Sequence, residues 1–244
     1  MAMAPSITCV LIDVGGTLWP SGWVGSDVEE AGRCANLARA LPELAPPRHS
    51  ELSACLRTCA AEDARGAGQT LVQDVPATLR RAAQKCGLDL DPHQVQALHR
   101  ALRVSPLGHL TLFPGAQDLL ASIEAQGGRC VAVSNTAWRT RDDYRADFID
   151  MGISAYVDAI ITSVDVGYRK PHRAMFEAAL VAGQCHPTAC VMIGNSEHKD
   201  IQPAHALGIR TILVTMESPR PVTSMADAVA PSLPHVATLL RSWA

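Results

Sequence analysis

The residues best suited to chemistry stand at the ends of short apolar runs. Polar side chains follow these runs or begin the next helix: Asp13, Ser134, Asn135, Lys170, Asn195 and Asp200. The carboxyl ends of parallel strands meet at one edge of an open sheet, where such sheets bind their ligands. A carboxylate, a hydroxyl, an ammonium and an amide around one cavity suit an oxyanion together with a divalent cation. We therefore expect an oxyanion site at this edge.

Each of these residues also has a purely structural explanation. Ser134 could be a turn or cap hydroxyl, Lys170 a solvated surface lysine, and Asp200 the N-cap of a helix. Taken one at a time, the structural and functional explanations carry equal weight. Their occurrence together, and in this order along the chain, favours the functional one.

The remaining elements indicate how these residues are positioned. The run 7–12 reads as a strand buried on both faces, and strands and helices alternate after residue 109. This pattern predicts an α/β fold, a Rossmann-like parallel sheet core with helices on both faces. The block 27–103 reads as helices alone, so we expect an inserted all-helical cap over the site. The predicted domains are a Rossmann-like core of residues 1–18 and 109–244 and a helical cap of residues 19–108, and residues 222–234 read as a loop.

Composition limits the function classes. The chain has 244 residues, of which 48% are hydrophobic and 18% charged, and its net charge is −3. It therefore has a sizeable core, and without a basic block it is unsuited to nucleic acid or an anionic membrane. We find no signal-peptide pattern or membrane-spanning run and expect a cytoplasmic protein. The eight cysteines are expected to be reduced thiols, and Cys55 and Cys59, four residues apart on one helix, are expected to be packing residues rather than a metal or redox pair.

At this point the sequence resembles the haloacid dehalogenase superfamily, a Rossmann-like family dominated by phosphatases. The resemblance covers both the core and the cap. Four motifs carry it in order: 13–18 (Asp-Val-Gly-Gly-Thr-Leu), Ser134 within 131–135, Lys170-Pro171, and 194–200 (Gly-Asn-Ser-Glu-His-Lys-Asp). The segment Phe113-Pro114-Gly115 resembles the point at which the family's chain re-enters the core after a helical cap.

The resemblance implies roles for individual residues. Asp13 would be the nucleophile and would form an aspartyl-phosphate, while Ser134 and Lys170 would bind phosphoryl oxygens. The implied phosphate contacts also include the backbone amides of Val14, Gly15 and Gly16, with Thr17 orienting the loop and Asn135 and Trp19 lining the pocket. A Mg²⁺ ion would lie between Asp13, the backbone carbonyl of Gly15, Asn195 and Asp200. The expected substrate is a small phosphorylated metabolite, and the expected state is a monomer or homodimer.

Two residues depart from the family pattern. Family phosphatases carry a second Asp two residues after the nucleophile, which protonates the leaving group, and here that position is Gly15. General acid–base help is commonly worth about 10²- to 10⁴-fold in rate. Asn195 stands where an Asp metal ligand is usual, so we expect weaker Mg²⁺ binding.

These departures leave other functions open. The family's dehalogenases also lack the second Asp, attack carbon and need no metal, and Trp19, Trp23 and Arg33 could imitate their binding residues. Phosphonoacetaldehyde hydrolases need a cap lysine, for which Lys85 is the single candidate but is poorly placed in sequence. A weakly active relative that binds a ligand or protein is the third alternative. Intact Asp13, Ser134 and Lys170 argue against complete loss of activity.

Overall fold

A parallel sheet forms the centre of the molecule. The computed structural model describes residues 6–21, 27–65, 74–104, 111–217 and 223–243. Its strands are β1 (Cys9–Ile12), β2 (Arg129–Ser134), β3 (Ala159–Thr162), β4 (Cys190–Gly194), β5 (Arg210–Val214) and β6 (Ala228–Ala230). In the described residues they form one sheet of order β3-β2-β1-β4-β5-β6, and each neighbouring pair is parallel. The predicted α/β fold is confirmed.

Helices cover both faces of this sheet. In chain order the described helices are α1 (Asp27–Ala40), α2 (Pro46–Arg65), α3 (Val75–Lys85), α4 (Pro92–Arg103), α5 (Ala116–Ala125), α6 (Arg141–Asp150), α7 (Ser163–Val166), α8 (Arg173–Gly183), α9 (Gln202–Ala206) and α10 (Leu233–Trp243). Helices α5, α6 and α10 contribute to the apolar cluster on one face, which contains Phe148. Helices α8 and α9 contribute to the cluster on the other face, which contains Phe176. No described helix has the length and apolar character needed to cross a bilayer.

The four helices α1 to α4 share an apolar cluster of their own, which includes Leu37, Leu56, Leu79 and Leu98. Their boundaries follow the local sequence, since Asp91 caps α4 through a capping box with Gln94. The block between β1 and α5 is helical in its described part, as the sequence predicted. The division at residues 18/19 and 108/109 stays a prediction, and the second boundary lies outside the described residues.

The loop predicted for residues 222–234 was wrong in part, because β6 lies within it. This strand has only three residues and pairs with β5 at the sheet edge. Asp227 stabilises the pairing, since its carboxylate accepts hydrogen bonds from the Thr211 backbone N–H at 2.8 Å and from the Thr211 hydroxyl at 2.9 Å. A strand of three residues is stabilised mainly by pairing with its neighbour, so its own sequence gives little indication of a strand.

The expectation that all eight cysteines are reduced was also wrong. Cys185 and Cys190 form a disulfide across a short turn. Cys59 is buried in the cluster of helices α1 to α4 with Cys55 packed against it, as expected for packing residues. The prediction of reduced thiols depended on the expected cellular compartment rather than on how the fold places the cysteines.

Candidate active site

The carboxyl ends of the central strands bring the predicted residues together. The register pairs Ile12, the last residue of β1, with Ala132 in β2 and Ile193 in β4, so the residues that follow these strands share one edge. A cavity of about 880 Å³ opens there between the sheet and helices α1 and α4. Eight of the predicted residues line it: Asp13, Gly15, Trp19, Ser134, Asn135, Lys170, Asn195 and Asp200.

Lys170 connects the two carboxylates of the site. Its ammonium lies 2.5 Å from Asp13 Oδ1 and 2.7 Å from Asp200 Oδ1, and it donates a 2.8 Å hydrogen bond to the Val133 carbonyl. Its side chain is only 2% exposed. A buried ammonium between two carboxylates keeps the nucleophile candidate fixed in direction and leaves the three groups with one net negative charge.

Burial and the charges of neighbouring residues determine the protonation states of Lys170 and Asp200. Burial by itself lowers the pKa of the Lys170 ammonium, but the charges of Asp13 and Asp200 outweigh it and hold that pKa above its usual value. Burial raises the pKa of the Asp200 carboxyl, the Asp13 charge adds to this, and the Lys170 ammonium opposes it. Lysine therefore stays charged, and Asp200 is the carboxylate whose charge a further cation would stabilise.

The loop that follows β1 holds the Asp13 side chain in its orientation. The Thr17 hydroxyl donates to Asp13 Oδ2 at 3.1 Å, and both Thr17 and Val14 are fully buried. The Gly16 backbone N–H donates to the Trp19 carbonyl at 2.6 Å. That amide is therefore engaged within the loop in this structure. The predicted phosphate contacts of Val14, Gly15 and Gly16 stay predictions.

Tyr144 is the residue at this site that sequence reasoning missed. Its hydroxyl lies 3.2 Å from Ser134 Oγ, and burial raises its pKa, which keeps the phenol protonated. Its ring stacks on Trp19 with centroids 6.0 Å apart, and the Arg139 guanidinium lies 5.0 Å from its centroid. No motif marks this tyrosine in the sequence, because only the packing of α6 against the strand ends brings it to Ser134.

Asn135 has a positioning role in the structure. Its Oδ1 accepts a 2.7 Å hydrogen bond from the Lys170 backbone N–H, and its Nδ2 donates a 2.9 Å hydrogen bond to the Lys170 carbonyl. The side-chain amide thus holds the backbone of Lys170 through both of its polar atoms. Its predicted contact with substrate stays a prediction, although it borders the cavity.

The residues proposed for Mg²⁺ offer an oxygen-rich donor set. Asp200 is held close to β4, since a Cβ on Gly194 would stand 2.5 Å from the Asp200 side chain. Asp200 Oδ2 accepts a 3.0 Å hydrogen bond from the Ser196 N–H. Asn195 packs against Gly16, where an added Cβ would lie 2.0 Å from Asn195 Nδ2. Two carboxylates, an amide and a net negative charge fit a hard divalent cation.

The cap side of the cavity combines polar side chains from helix α1 with the apolar Ala101, Leu102 and Val104 at the end of α4. Helix α1 supplies Glu29, Arg33 and Asn36, and Glu29 forms an ion pair with Arg33. Arg33 also lies 3.9 Å from Glu30, so two carboxylates share its charge. Trp138, from the loop after β2, lines the same cavity and packs against the cap cluster, in line with its sequence position just after Ser134.

Arg139 and Arg103 join the cap to the core beside this cavity. Arg139 pairs with Asp147 at 2.7 Å and donates to the Arg103 carbonyl at 3.1 Å. The Arg103 side chain in turn pairs with Asp143 at 2.9 Å. These contacts fix the end of α4 on α6, the helix that carries Tyr144.

Of the residues considered for other activities, Lys85 has a clear position. Lys85 lies on the cap surface, where its ammonium is 2.8 Å from both carboxylate oxygens of Glu62, and it does not line the cavity. It is therefore not placed to form a Schiff base with a substrate in this cavity. Trp23 lies outside the described residues.

A buried aspartate held by a lysine at the carboxyl edge of a parallel sheet, beneath an inserted helical block, defines a Rossmann-like hydrolase. A sequence profile of the haloacid dehalogenase-like hydrolases matches residues 73–214. The chain belongs to this family.

Phosphatases are among its sequence relatives. A ribulose-1,5-bisphosphate 5-phosphatase from Halopiger xanaduensis is 27% identical over 224 residues, 91% of this chain and 91% of that protein. A glyceraldehyde 3-phosphate phosphatase from Methanothermobacter thermautotrophicus is 33% identical over 109 residues, 43% of this chain and 45% of that protein. The prediction of a hydrolase with phosphatase relatives is confirmed.

Solved structures agree on the fold. A 2-haloacid dehalogenase from Pseudomonas syringae superposes with a TM-score of 0.69 at 23% identity, covering 98% of this chain and 100% of that chain. A hydrolase of the same superfamily from Bacillus subtilis, bound to magnesium, gives a TM-score of 0.63 at 18% identity, covering 96% of this chain and 99% of that chain. At such identities the likeness extends to the fold and not to the substrate.

Proposed function

We propose that this protein hydrolyses phosphate monoesters of small polar metabolites, with Mg²⁺ as cofactor and an aspartyl-phosphate on Asp13 as intermediate. The observation that carries the proposal is the Asp13 carboxylate, held by Lys170 and Thr17 and facing a cavity that Ser134 also lines. The phosphatase relatives support it, since each is named for a small phosphorylated metabolite.

The covalent step follows from this arrangement. Asp13 attacks phosphorus, the ester P–O bond breaks, and the alcohol leaves with a proton taken from solvent in the cavity, because Gly15 provides no acid. Water then hydrolyses the acyl phosphate and restores Asp13. The Lys170 ammonium balances charge on the incoming phosphoryl group.

Ser134 and Tyr144 form a hydrogen-bond chain toward the phosphoryl oxygens. In the structure the Ser134 hydroxyl donates to the Tyr144 hydroxyl oxygen at 3.2 Å. When Ser134 donates to a phosphoryl oxygen instead, this hydrogen bond reverses and the protonated Tyr144 donates to Ser134 Oγ. Such a chain strengthens the outer hydrogen bond by polarising it. Tyr144 is thus a positioning residue for Ser134.

A bound Mg²⁺ would be held by Asp13, the Gly15 carbonyl, Asn195 and Asp200. It would supply charge neutralisation to the transferring phosphoryl group. With Asn195 in place of a carboxylate, we expect the chain to need a higher Mg²⁺ concentration than a relative with Asp at that position.

The cap wall favours a polyol or sugar as the esterified alcohol. Glu29, Asn36 and Arg33 offer hydrogen-bond acceptors and donors to hydroxyl groups, while Trp19 and Trp138 supply flat walls. A cavity of about 880 Å³ lies within the usual range for small-molecule sites. The ion pairs of Arg33 with Glu29 and Glu30 make it less suited to a free haloacid carboxylate.

The test is a substrate screen in the presence of Mg²⁺ or of a chelator. It should include phosphorylated sugars and polyols, p-nitrophenyl phosphate and 2-haloacids, with Asp13→Asn as the control variant. We expect phosphate release from sugar phosphates that disappears with the chelator and with Asp13→Asn. Halide release that survives the chelator would establish a dehalogenase instead, and ligand binding without turnover would establish a binding protein.

A further inference from the structure

Three cysteine sulfurs converge at the edge of the sheet opposite the active site. Cys9 begins β1 and Cys190 begins β4, and the register places them side by side on neighbouring strands. Cys185 approaches them from the turn after α8, and the three sulfur atoms all lie within 4.8 Å of one another. Cys9 and Asp13 are four residues apart on an extended strand, roughly 13 Å, so this group is separate from the catalytic site.

The local structure is built to bring these sulfurs together. Cys9 and Cys190 are buried, while Cys185 is partly exposed and borders a surface depression. Gly183, the last residue of α8, lies against them: an added Cβ would stand 2.6 Å from the Cys9 sulfur and 3.4 Å from the Cys185 sulfur. Only a residue without a side chain lets the helix end approach this closely.

We propose that Cys9, Cys185 and Cys190 form a binding site for one Zn²⁺ ion when the disulfide is reduced. Thiolates are preferred ligands of zinc, and the exposed side of Cys185 leaves a fourth position for water. The site does not depend on the proposed phosphatase activity, because it shares no residue with that cavity.

The disulfide controls whether the site exists. A dithiol reductant breaks the Cys185–Cys190 bond and is itself oxidised to a disulfide, while each cysteine receives one proton. Zn²⁺ then displaces the thiol protons of all three cysteines. Three thiolates and one Zn²⁺ carry a single net negative charge. Burial raises the pKa of the Cys9 thiol to about 11, so the free thiolate is disfavoured there until a cation compensates its charge.

The test is an anaerobic titration of the full chain after reduction with a phosphine that does not bind the metal. Co²⁺ serves first as a spectroscopic probe, because thiolate ligands give an intense charge-transfer band, and Zn²⁺ then displaces it. We expect one equivalent to bind with a thiolate band, protons to be released, and the midpoint of thermal unfolding to rise with Zn²⁺.

Three variants distinguish this site from binding elsewhere. Cys185→Ser, which changes a partly exposed turn residue, should weaken Zn²⁺ binding at least tenfold, and Cys9→Ser should do the same. Cys130→Ser is the matched control, since Cys130 is buried in β2 but belongs to the apolar cluster on the other face of the sheet, and its variant should bind like the parent.

Circular dichroism would establish that each variant is folded. The proposal is overturned if the reduced parent shows no thiolate band. It is equally overturned if folded Cys185→Ser and Cys9→Ser bind as tightly as the parent, or if Cys130→Ser loses binding to the same extent.

Discussion

Replacing Gly15 with aspartate should restore the acid that this site lacks. Gly15 lines the cavity with Asp13, its φ lies outside the left-handed region, and a Cβ there would meet no atom within 4 Å. The neighbouring Gly16 is the contrast, because its φ is +79° and its added Cβ would stand 2.0 Å from Asn195 Nδ2. Position 15 therefore has room for a Cβ, whereas position 16 does not.

The expected gain follows from what an acid supplies. General acid catalysis is worth about 10²- to 10⁴-fold, or roughly 2.7 to 5.4 kcal/mol of activation free energy. The introduced carboxyl would join Asp13 and Asp200, which both pair with Lys170. This crowding raises the pKa of the new group, which favours its protonated form, but it also weakens binding of a phosphate dianion. We therefore expect an increase in kcat at the low end of this range, about a hundredfold.

The assay compares two substrates with different leaving groups. Alkoxide leaving groups, as in glycerol phosphate, need a proton, whereas p-nitrophenolate leaves without one. Gly15→Asp should raise the ratio of alkyl to aryl phosphate turnover about a hundredfold, and Gly15→Asn, which has the same size and no transferable proton, should leave the ratio unchanged. A folded Gly15→Asp protein with an unchanged ratio would refute the view that the missing acid limits the rate.

Two further substitutions test the positioning residues. Tyr144→Phe keeps the ring contacts with Trp19 and Arg139 but removes the hydroxyl beside Ser134. We therefore expect kcat for p-nitrophenyl phosphate to fall about tenfold, which corresponds to about 1.4 kcal/mol of activation free energy. In a Ser134→Ala background the same change should have no effect. Asn135→Ala removes both hydrogen bonds to the Lys170 backbone. We expect urea denaturation to show a free energy of unfolding that is lower by roughly 1–3 kcal/mol. We also expect kcat to fall by more than the decrease in the fraction of folded protein explains. Equal effects of Tyr144→Phe in both backgrounds, or an Asn135→Ala enzyme with unchanged kcat, would contradict these roles.

The sequence predicts the sheet and the strand-end residues because their signals are local. Each of these signals lies within a few positions of the chain: the apolar run that ends in Asp13, the proline after Lys170 and the capping residue Asp91. The order of the four motifs along the chain then indicated the family. This is why the residues that the sequence marked for catalysis and metal binding line one cavity.

Other features depend on pairs of residues far apart in sequence. The contact of Tyr144 with Ser134 needs α6 to be packed, and β6 needs the edge of β5. The hydrogen bonds between Asn135 and the Lys170 backbone were unpredictable for the same reason, because the two residues are 35 positions apart in sequence. Tertiary contacts of this kind leave no periodic trace in the sequence.

The central claim is that Asp13 becomes phosphorylated during turnover. The most direct measurement is mass spectrometry of the acid-quenched enzyme, taken in the steady state with a hydrolysed phosphate ester and Mg²⁺ and, in parallel, with a 2-haloacid. We expect a phosphoryl group on the peptide that contains Asp13 in the first sample, none in the Asp13→Asn protein, and no adduct with the haloacid. An alkyl ester on Asp13 in the haloacid sample, or phosphate release without any label on that peptide, would contradict it.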